Sequence, residues 1–285
     1  MLGHRLWQVL GQRHEVAVTV RGTWTVPSIP DRCPYIYEHV DVRDPDRVEV
    51  VLADFHPDAV VNAAGIVKQR LEECNPATCF QVNTVFPHQL ANLAVKHSFR
   101  LVHISTDCVF SGARGNYCES DLPDATDLYG VSKRWGELHE PPAVTLRTSM
   151  IGLEIKHHTG LIEWFLAQRG PVPGYRRAIF SGLTTAELAR VIDRLLGDWA
   201  HLTGLWHVGA AAISKYELLK KLTLLLARAD VEVVPDDSIR VNRSLNSERF
   251  AGATGYRAPS WDAMLVELAR EIAARQRRQH YHEAA

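Results

Sequence analysis

The side chains best suited to chemistry lie within and after a short apolar run at residues 101–104. This run leads through a serine into Thr106 and Asp107, a pattern that predicts a buried strand delivering polar side chains at its carboxyl end. Further along the chain, Tyr129 and Lys133 are four residues apart, so on a helix they share one face and lie one turn from each other. We therefore expect a hydroxyl, a phenol and an ammonium group to meet at one edge of a parallel sheet.

A phenol beside an ammonium group can act as a general acid. The ammonium of Lys133 is expected to lower the pKa of the Tyr129 phenol, and its three N–H donors can also hold a ribose hydroxyl. The phenol can pass a proton to a carbonyl oxygen while hydride arrives at the carbon, and the Thr106 hydroxyl can hydrogen-bond the same oxygen. A Tyr and a Lys at this spacing occur by chance in many helices. The preceding Ser-Thr-Asp, in the right order after an apolar run, favours the catalytic interpretation.

Four motifs resemble those of the extended short-chain dehydrogenase/reductase superfamily, and within it the dTDP-4-dehydrorhamnose reductase family. They are Val-Asn-Ala-Ala-Gly at 61–65, Ser-Thr-Asp-Cys-Val-Phe-Ser-Gly at 105–112, Tyr-Gly-Val-Ser-Lys at 129–133 and Leu-Arg-Thr-Ser at 146–149. The resemblance extends over nearly the whole chain. It implies an NADP-dependent reductase of a nucleotide-linked 4-keto-6-deoxy sugar, acting in the synthesis of cell-surface polysaccharide or glycoconjugate precursors. It also implies the catalytic roles of Tyr129 as proton donor, Lys133 as its pKa partner and ribose ligand, and Thr106 as the hydroxyl that orients the carbonyl.

Two departures from the family pattern fall where the sugar is expected to bind. Cys108 stands where the family has a tyrosine, and Met150 stands where it usually has a tryptophan. The particular sugar is therefore open, and a UDP-linked amino-deoxy sugar is as reasonable a substrate as a dTDP-linked one. Two other functions also stay open: a nucleotide-sugar epimerase, and a non-catalytic binding subunit that keeps the fold. A dehydratase is disfavoured because its extra acid/base pair is commonly Asp-Glu, whereas Asp107 is followed by Cys108.

The resemblance implies an α/β fold: a Rossmann-type, doubly wound parallel sheet with a smaller carboxyl-terminal substrate domain. We expect the dinucleotide-binding domain at 1–149 and a mainly substrate-binding domain at 150–285, with a segment near 178–210 returning to the first domain. The first helix is expected at residues 1–12, with no strand and no complete glycine-rich turn before it. Such a turn lets the backbone approach a pyrophosphate at the helix amino terminus. We expect this chain to be an incomplete version of a longer protein, lacking a central strand between those that end at Arg21 and Asn62.

The residues expected at the cofactor follow the course of this first domain. Gly3 corresponds to the third glycine of the turn, and Arg21 follows the second strand of the fold, where an acidic residue would favour NAD. A cation at that position favours the 2′-phosphate of NADP(H), with NAD(H) as the alternative cofactor. The other explanation is that Arg21 is a solvated basic residue without a role in cofactor binding. The full predicted set is Leu2, Gly3, Arg21, Asp41, Val42, Ala63, Ala64, Gly65, Tyr129 and Lys133.

The residues expected at the substrate follow the catalytic strand and recur in the second half of the chain. Arg243 is predicted to contact a phosphate, with a surface salt bridge as the equally plausible alternative. The remaining members of the predicted set are Asp107, Val109, Phe110 and Met150.

The composition of the chain disfavours several classes of protein function. A net charge of −1 over 285 residues gives no electrostatic argument for binding nucleic acid or an anionic membrane, and no apolar run is long enough to cross one. Five cysteines without Cys-x-x-Cys spacing are typical of reduced thiols and indicate a cytoplasmic protein. The His157-His158 and His280/His282 pairs lack helical ligand spacing, so no metal is expected. The expected partner is a nucleotide-sugar substrate, with a homodimer possible.

Local patterns also predict individual elements. We expect strands at 15–21, 39–44, 59–62, 144–146 and 204–209, and helices at 45–55, 72–96 with a break at Pro76, 129–140, 157–168 and 214–226. Thr184 or Thr185 is placed to cap a further helix, and Glu217 fits a capping box with Ser214.

Overall fold

Four parallel strands form the sheet that carries the candidate site. They are β3 (Ala59–Asn62), β4 (Arg100–Ile104), β5 (Ala143–Arg147) and β10 (Gly204–His207), in the spatial order β10-β5-β4-β3. This computed structural model describes residues 1–24, 35–68, 75–156 and 158–283, with side chains as far as residue 277. β4 and β5 are buried along almost their whole length, as a central parallel strand with helices on both faces must be.

A second parallel pair stands apart from this sheet. β1 (Ala17–Thr19) pairs with β2 (Tyr35–Tyr37) in the register Ala17 to Tyr35, and among the described residues no strand ladder joins β1 to β3. The strand expected between β1 and β3 stays a prediction.

The predicted strand at 39–44 is wrong, because the strand lies earlier, at Tyr35–Tyr37. His39 has a φ of 55°, and this left-handed conformation interrupts an extended backbone. The chain then turns, and the Asp44 carboxylate accepts a hydrogen bond from the Arg47 amide at 3.1 Å, which caps the following helix. The predicted loop from residue 22 is described only as far as residue 24.

The helices of the first half largely match their predicted ranges. α1 (Leu2–Leu10) and α2 (Pro45–Phe55) agree, and α3 (Pro76–Phe80) and α4 (Phe86–Lys96) flank a π-helical turn at Gln81–Val85. Residues 72–74, at the start of the helix predicted over 72–96, lie outside the described residues. α5 (Leu128–Trp135) ends earlier than predicted because the next two amides donate to carbonyls three residues back.

The described part of the second half adds short strand pairs and five helices around the sheet. β6 pairs with β9, β7 with β12, and β8 with both β11 and β13. Thr184 and the Ser214–Glu217 capping box begin α7 and α8 as predicted. The bounds are β6 (Met150–Ile151), α6 (Leu161–Ala167), β7 (Gly170–Tyr175), β8 (Ala178–Phe180), β9 (Leu183–Thr184), α7 (Thr185–Leu196), β11 (Ile213–Ser214), α8 (Lys215–Leu225), β12 (Val231–Asp236), β13 (Val241–Asn242), α9 (Glu248–Thr254) and α10 (Trp261–Glu283).

One large apolar core joins the sheet to the later helices. Val102 of β4, Leu146 of β5, Leu188 of α7, Leu218 of α8 and Leu265 of α10 are all completely buried in it. Each such side chain contributes roughly 1.5–3 kcal/mol by leaving water. β10 pairs with β5 in the same sheet, while the predicted domain boundaries stay a prediction. None of the helices in the described ranges combines the length and the apolar character needed to cross a membrane.

Candidate functional site

The predicted catalytic side chains gather where β4 ends. Thr106 follows β4 directly, and its hydroxyl caps a short 3-10 turn by accepting from the Cys108 amide at 3.1 Å. Tyr129 and Lys133 project from α5, which the Asp127 carboxylate caps at the Gly130 amide. The Tyr129 phenol is close enough to Thr106 for that hydroxyl to lower the pKa of the phenol. The structure thus places the hydroxyl and the phenol together.

Lys133 reaches the same end of the strand by a different contact. Its buried ammonium donates to the carbonyl oxygen of Ile104, the last residue of β4, at 2.7 Å. Burial lowers the pKa of Lys133 to about 8, and the nearby Glu137 carboxylate opposes that shift. The ammonium is therefore held at the strand end by a backbone acceptor.

The expected lowering of the phenol pKa is wrong. The pKa of Tyr129 is raised, chiefly because burial disfavours the charged phenolate, and nearby Cys108 and Asp107 raise it further. Thr106 acts in the opposite direction and lowers this pKa, but burial is the larger effect. Tyr129 is consequently a protonated phenol at neutral pH, the form that a proton donor requires.

Asp107 is a buried carboxyl group next to the phenol and the hydroxyl. It is 5% exposed, and its Oδ1 lies 3.3 Å from the Thr106 hydroxyl oxygen. Burial raises the pKa of Asp107 to about 6, while the charge of Arg243 and the neighbouring Cys108, Thr106 and Ser149 act in the opposite direction. Asp107 can therefore take up and release a proton near neutral pH.

The other predicted substrate residues differ in how they are placed. The side chains of Val109 and Phe110 are completely buried in a small apolar cluster with Tyr117 and Leu245, so they stabilise the segment that follows Asp107. Met150 is half-buried on β6 and packs against the large core. Their predicted contact with a substrate stays a prediction.

Arg243 is held beside the segment that follows Asp107 by two backbone carbonyl oxygens. Its guanidinium donates to the carbonyls of Phe110 at 2.8 Å and Ser111 at 3.2 Å. Its charge lowers the pKa of Asp107, which places it close to that carboxyl group. The proposed contact with a phosphate is compatible with this position.

The predicted cofactor residues after β3 lie at the same edge of the sheet. Ala63 and Gly65 are exposed, and the Ala64 amide donates to the Asn62 side chain at 3.1 Å. Asn83, from the π-helical turn, holds the end of this loop by bonding both the amide and the carbonyl of Ile66. The loop therefore has exposed residues at 63 and 65 and is anchored at Ile66 by Asn83.

The remaining predicted cofactor residues lie at α1 and after β1 and β2. Leu2 is buried in the large core, and Gly3 has open space where a side chain would stand. Arg21 is exposed and lowers the pKa of Asp41, although the side-chain hydrogen bond from Arg43 is the largest cause of the fall to about 2. Val42 packs against the smaller core cluster beneath α2.

Three residues near the site were not predicted from the sequence. Lys215, the first residue of α8, is close enough to Asp107 for the carboxylate to raise its pKa, although burial lowers that pKa overall. Glu137 accepts from Ser105 at 2.6 Å and from Arg147 at 2.7 Å, and Asn83 ties the turn to α5 through Ser132 at 3.1 Å. The spacing of Glu137, four residues after Lys133, was the one available signal.

A parallel α/β sheet with this hydroxyl, phenol and ammonium at its carboxyl edge is the arrangement of a short-chain dehydrogenase/reductase. The extended branch of that superfamily was the resemblance found in the sequence. The family model described as the RmlD substrate binding domain matches residues 1–274, and the chain belongs to that family.

Individual relatives agree with this assignment. A probable dTDP-4,6-dihydroxy-2-methyloxan-3-one 4-ketoreductase of Streptomyces antibioticus is 36% identical over 266 residues, covering 84% of this chain and 86% of that protein. A dTDP-4-dehydrorhamnose reductase of Aggregatibacter actinomycetemcomitans is 31% identical over 192 residues, covering 64% of this chain and 65% of that protein, slightly less than two thirds of its length. The crystal structure of the Bacillus anthracis dTDP-4-dehydrorhamnose reductase in complex with NADP superposes with a TM-score of 0.74 at 22% identity. That superposition covers 90% of this chain and 98% of the other, and it shows the shared fold.

Proposed function

We propose that this protein is an NADPH-dependent reductase that converts the keto group of a dTDP-linked deoxy sugar into an alcohol. The observation that carries the proposal is the meeting of Thr106, Tyr129 and Lys133 at the carboxyl end of β4. Membership of the family supports it, because both of the relatives described above bear the names of reductases acting on dTDP-linked keto sugars.

In this proposal the three side chains divide the work of proton transfer. Tyr129 donates its phenolic proton to the carbonyl oxygen, and its raised pKa keeps that proton in place at neutral pH until the oxygen becomes basic. Thr106 donates a hydrogen bond to the same oxygen and so orients the carbonyl. Lys133 holds a ribose hydroxyl from the end of β4, where its ammonium is already fixed.

The described residues fit a dinucleotide along the edge of the sheet. The exposed backbone at 63–65 and the open space at Gly3 allow close approach, and bound NADPH would supply the hydride. Arg21 is exposed beside Asp41, whose carboxylate is already engaged by Arg43 at 2.6 Å. This arrangement favours the 2′-phosphate of NADPH over the free ribose of NADH.

The names of the relatives favour dTDP over UDP as the nucleotide of the substrate. Cys108 and Met150 flank the catalytic loop where the family carries larger aromatic side chains, so the sugar pocket is proposed to differ from that of a dTDP-4-dehydrorhamnose reductase. A cytoplasmic location and a homodimer stay predictions.

The proposal is tested by measuring NADPH consumption with a panel of dTDP- and UDP-linked keto sugars. Tyr129→Phe is expected to lower kcat about 10²–10⁴-fold, the contribution of a general acid, with the Kd for NADPH nearly unchanged. The matched control is Tyr256→Phe, since that hydroxyl donates to the buried Glu187 at 2.8 Å on α7. Absence of turnover with every keto sugar, or an active Tyr129→Phe variant, would contradict the proposal.

A further inference from the structure

A completely buried histidine lies near the end of the catalytic strand. His103 is the last residue but one of β4, and its Nδ1 lies 3.1 Å from the side-chain nitrogen of Asn62, the last residue of the neighbouring β3. Its Nε2 has no hydrogen-bond partner among the residues that the structure describes. Because nearly all buried polar groups in proteins are hydrogen-bonded, the presence of a histidine at this position requires a physical reason.

The hydrogen bonds of Asn62 determine where the protons of this pair lie. The Ala64 amide is a donor, so the Asn62 side-chain atom that it meets at 3.1 Å is the carbonyl oxygen. The other side-chain atom is therefore the NH₂ group, which donates to Nδ1 of His103. An accepting Nδ1 carries no proton, so His103 is the neutral tautomer with its proton on Nε2. Burial and the positive charge of Lys133 lower the pKa of His103, which agrees with a neutral ring.

We propose that His103 is a positioning residue for the cofactor, because it fixes the side chain of Asn62 and, through it, the backbone that follows β3. The inference rests on the proposed reductase function, in which the exposed backbone at 63–65 approaches the dinucleotide. Rotation of the Asn62 amide group would break both its bond to His103 and its bond to the Ala64 N–H. His103 acts through Asn62 and need not touch the cofactor.

An apolar side chain at position 103 would fill the same space without an unpaired N–H. Leu101, two residues earlier on the same face of β4, is completely buried in an apolar cluster that includes side chains of α2 and α4. A leucine or phenylalanine at 103 would extend that cluster. What the imidazole adds is the acceptor that it presents to Asn62, and its unpaired Nε2–H accompanies that acceptor.

The first experiment compares His103→Asn with His103→Gln. The side-chain oxygen of asparagine can occupy the place of Nδ1, whereas that of glutamine reaches the place of Nε2. We therefore expect His103→Gln to raise the Kd for NADPH roughly fivefold, the equivalent of one net hydrogen bond, and His103→Asn to keep a Kd near the wild-type value. With the best keto sugar of the panel, the KM for NADPH is expected to rise in His103→Gln with little change in kcat.

His207→Gln is the matched control, because His207 is also completely buried but lies on β10, two strands away from β4. It is expected to lose stability and to keep the wild-type Kd for NADPH. An unchanged Kd in His103→Gln, or an equal rise in His103→Gln and His103→Asn, would overturn the inference. A wild type that does not bind NADPH would instead contradict the reductase function itself.

The second experiment examines the contact in the protein without NADPH. Hydrogen exchange of the Ala64 amide is expected to be faster in His103→Gln than in the wild type and in His103→Asn, because Asn62 is then no longer fixed. In ¹⁵N-labelled wild-type protein, we expect a coupling across the hydrogen bond between the Asn62 side-chain nitrogen and Nδ1 of His103, with the ring proton on Nε2. A ring protonated at Nδ1 cannot accept from Asn62, and that result would refute the inference whether or not the variants fold.

Discussion

Burial favours the neutral form of Tyr129, Lys133 and Asp107 alike. It raises the pKa of the phenol and the carboxyl group and lowers the pKa of the ammonium. A sequence-based argument that considers only the charge of Lys133 predicts an acidified phenol, but desolvation is the larger effect. The site therefore has two groups that titrate close to neutral pH, Asp107 at about 6 and Lys133 at about 8.

The raised pKa of Asp107 has a measurable effect on stability. Between about pH 4 and pH 6 the folded protein keeps a proton on Asp107 that the unfolded chain has released, so this group's contribution to stability is lost as pH rises. The shift from 3.8 to about 6 corresponds to about 3 kcal/mol. We expect the free energy of unfolding of Asp107→Asn, relative to the wild type, to rise by about this amount over that window in urea titrations. Parallel pH curves for the two proteins would refute the burial argument.

At the level of elements, the position of α5 depends on the π-helical turn at Gln81–Val85. Asn83 of this turn donates to Ser132 at 3.1 Å, and the Thr84 hydroxyl donates to the Ser132 carbonyl at 2.7 Å. Single π-turns inside helices are frequent at functional sites, and here the turn connects the loop after β3 to the helix that carries Tyr129. Asn83 thus bridges the loop and the helix, because its side chain bonds both Ile66 and Ser132.

Gly136→Ala tests this docking. A Cβ atom at Gly136 would lie 1.9 Å from the Asn83 carbonyl oxygen, a backbone atom that can move only if the turn or α5 moves. We expect a loss of about 1–3 kcal/mol in stability from overpacking, together with a fall in kcat as Tyr129 shifts.

The matched control is Gly252→Ala within α9, where an added Cβ meets nothing within 4 Å. Alanine is a better helix former than glycine, so this variant is expected to gain about 0.5–1 kcal/mol and keep full activity. A Gly136→Ala protein as stable and as active as the control would show that α5 does not need this close approach.

At the scale of the whole molecule, a buried polar network connects the strands beneath the site. Arg147 of β5 forms a buried ion pair with Glu137 at 2.7 Å, and its guanidinium donates to Nε2 of His207 on β10 at 3.3 Å. His207 Nδ1 in turn donates to the Tyr117 carbonyl at 2.9 Å. A histidine that accepts from a guanidinium must be neutral, and burial together with Arg147 lowers the pKa of His207 to about 4.

This network makes the fold sensitive to acid. Between pH 6.5 and about 4 the unfolded chain protonates His207 while the folded protein does not, so stability is lost as pH falls through that window. The shift is equivalent to about 3 kcal/mol. In urea titrations at several pH values, His207→Gln is expected to show a shallower loss of stability than the wild type. Equal slopes would indicate that His207 is protonated within the folded protein.

Much of the local structure is predictable because its signals lie within a few residues. The ranges Pro45–Phe55 and Ala59–Asn62 and the capping box at Ser214 were predicted as they stand. The strand at Tyr35–Tyr37 was misplaced because the left-handed backbone at His39 left no sequence signal for a non-glycine residue.

The sequence alone determined the class of fold, the family, and the set Thr106, Tyr129 and Lys133, because these depend on motifs, order and spacing along the chain. Only the tertiary structure decided what surrounds that set. It buries Asp107 beside the Thr106 hydroxyl, and it places Lys215 of α8 close to the same carboxyl group. The depth of burial, which sets the pKa of each group, depends on how distant segments pack against one another, and no local pattern encodes that packing.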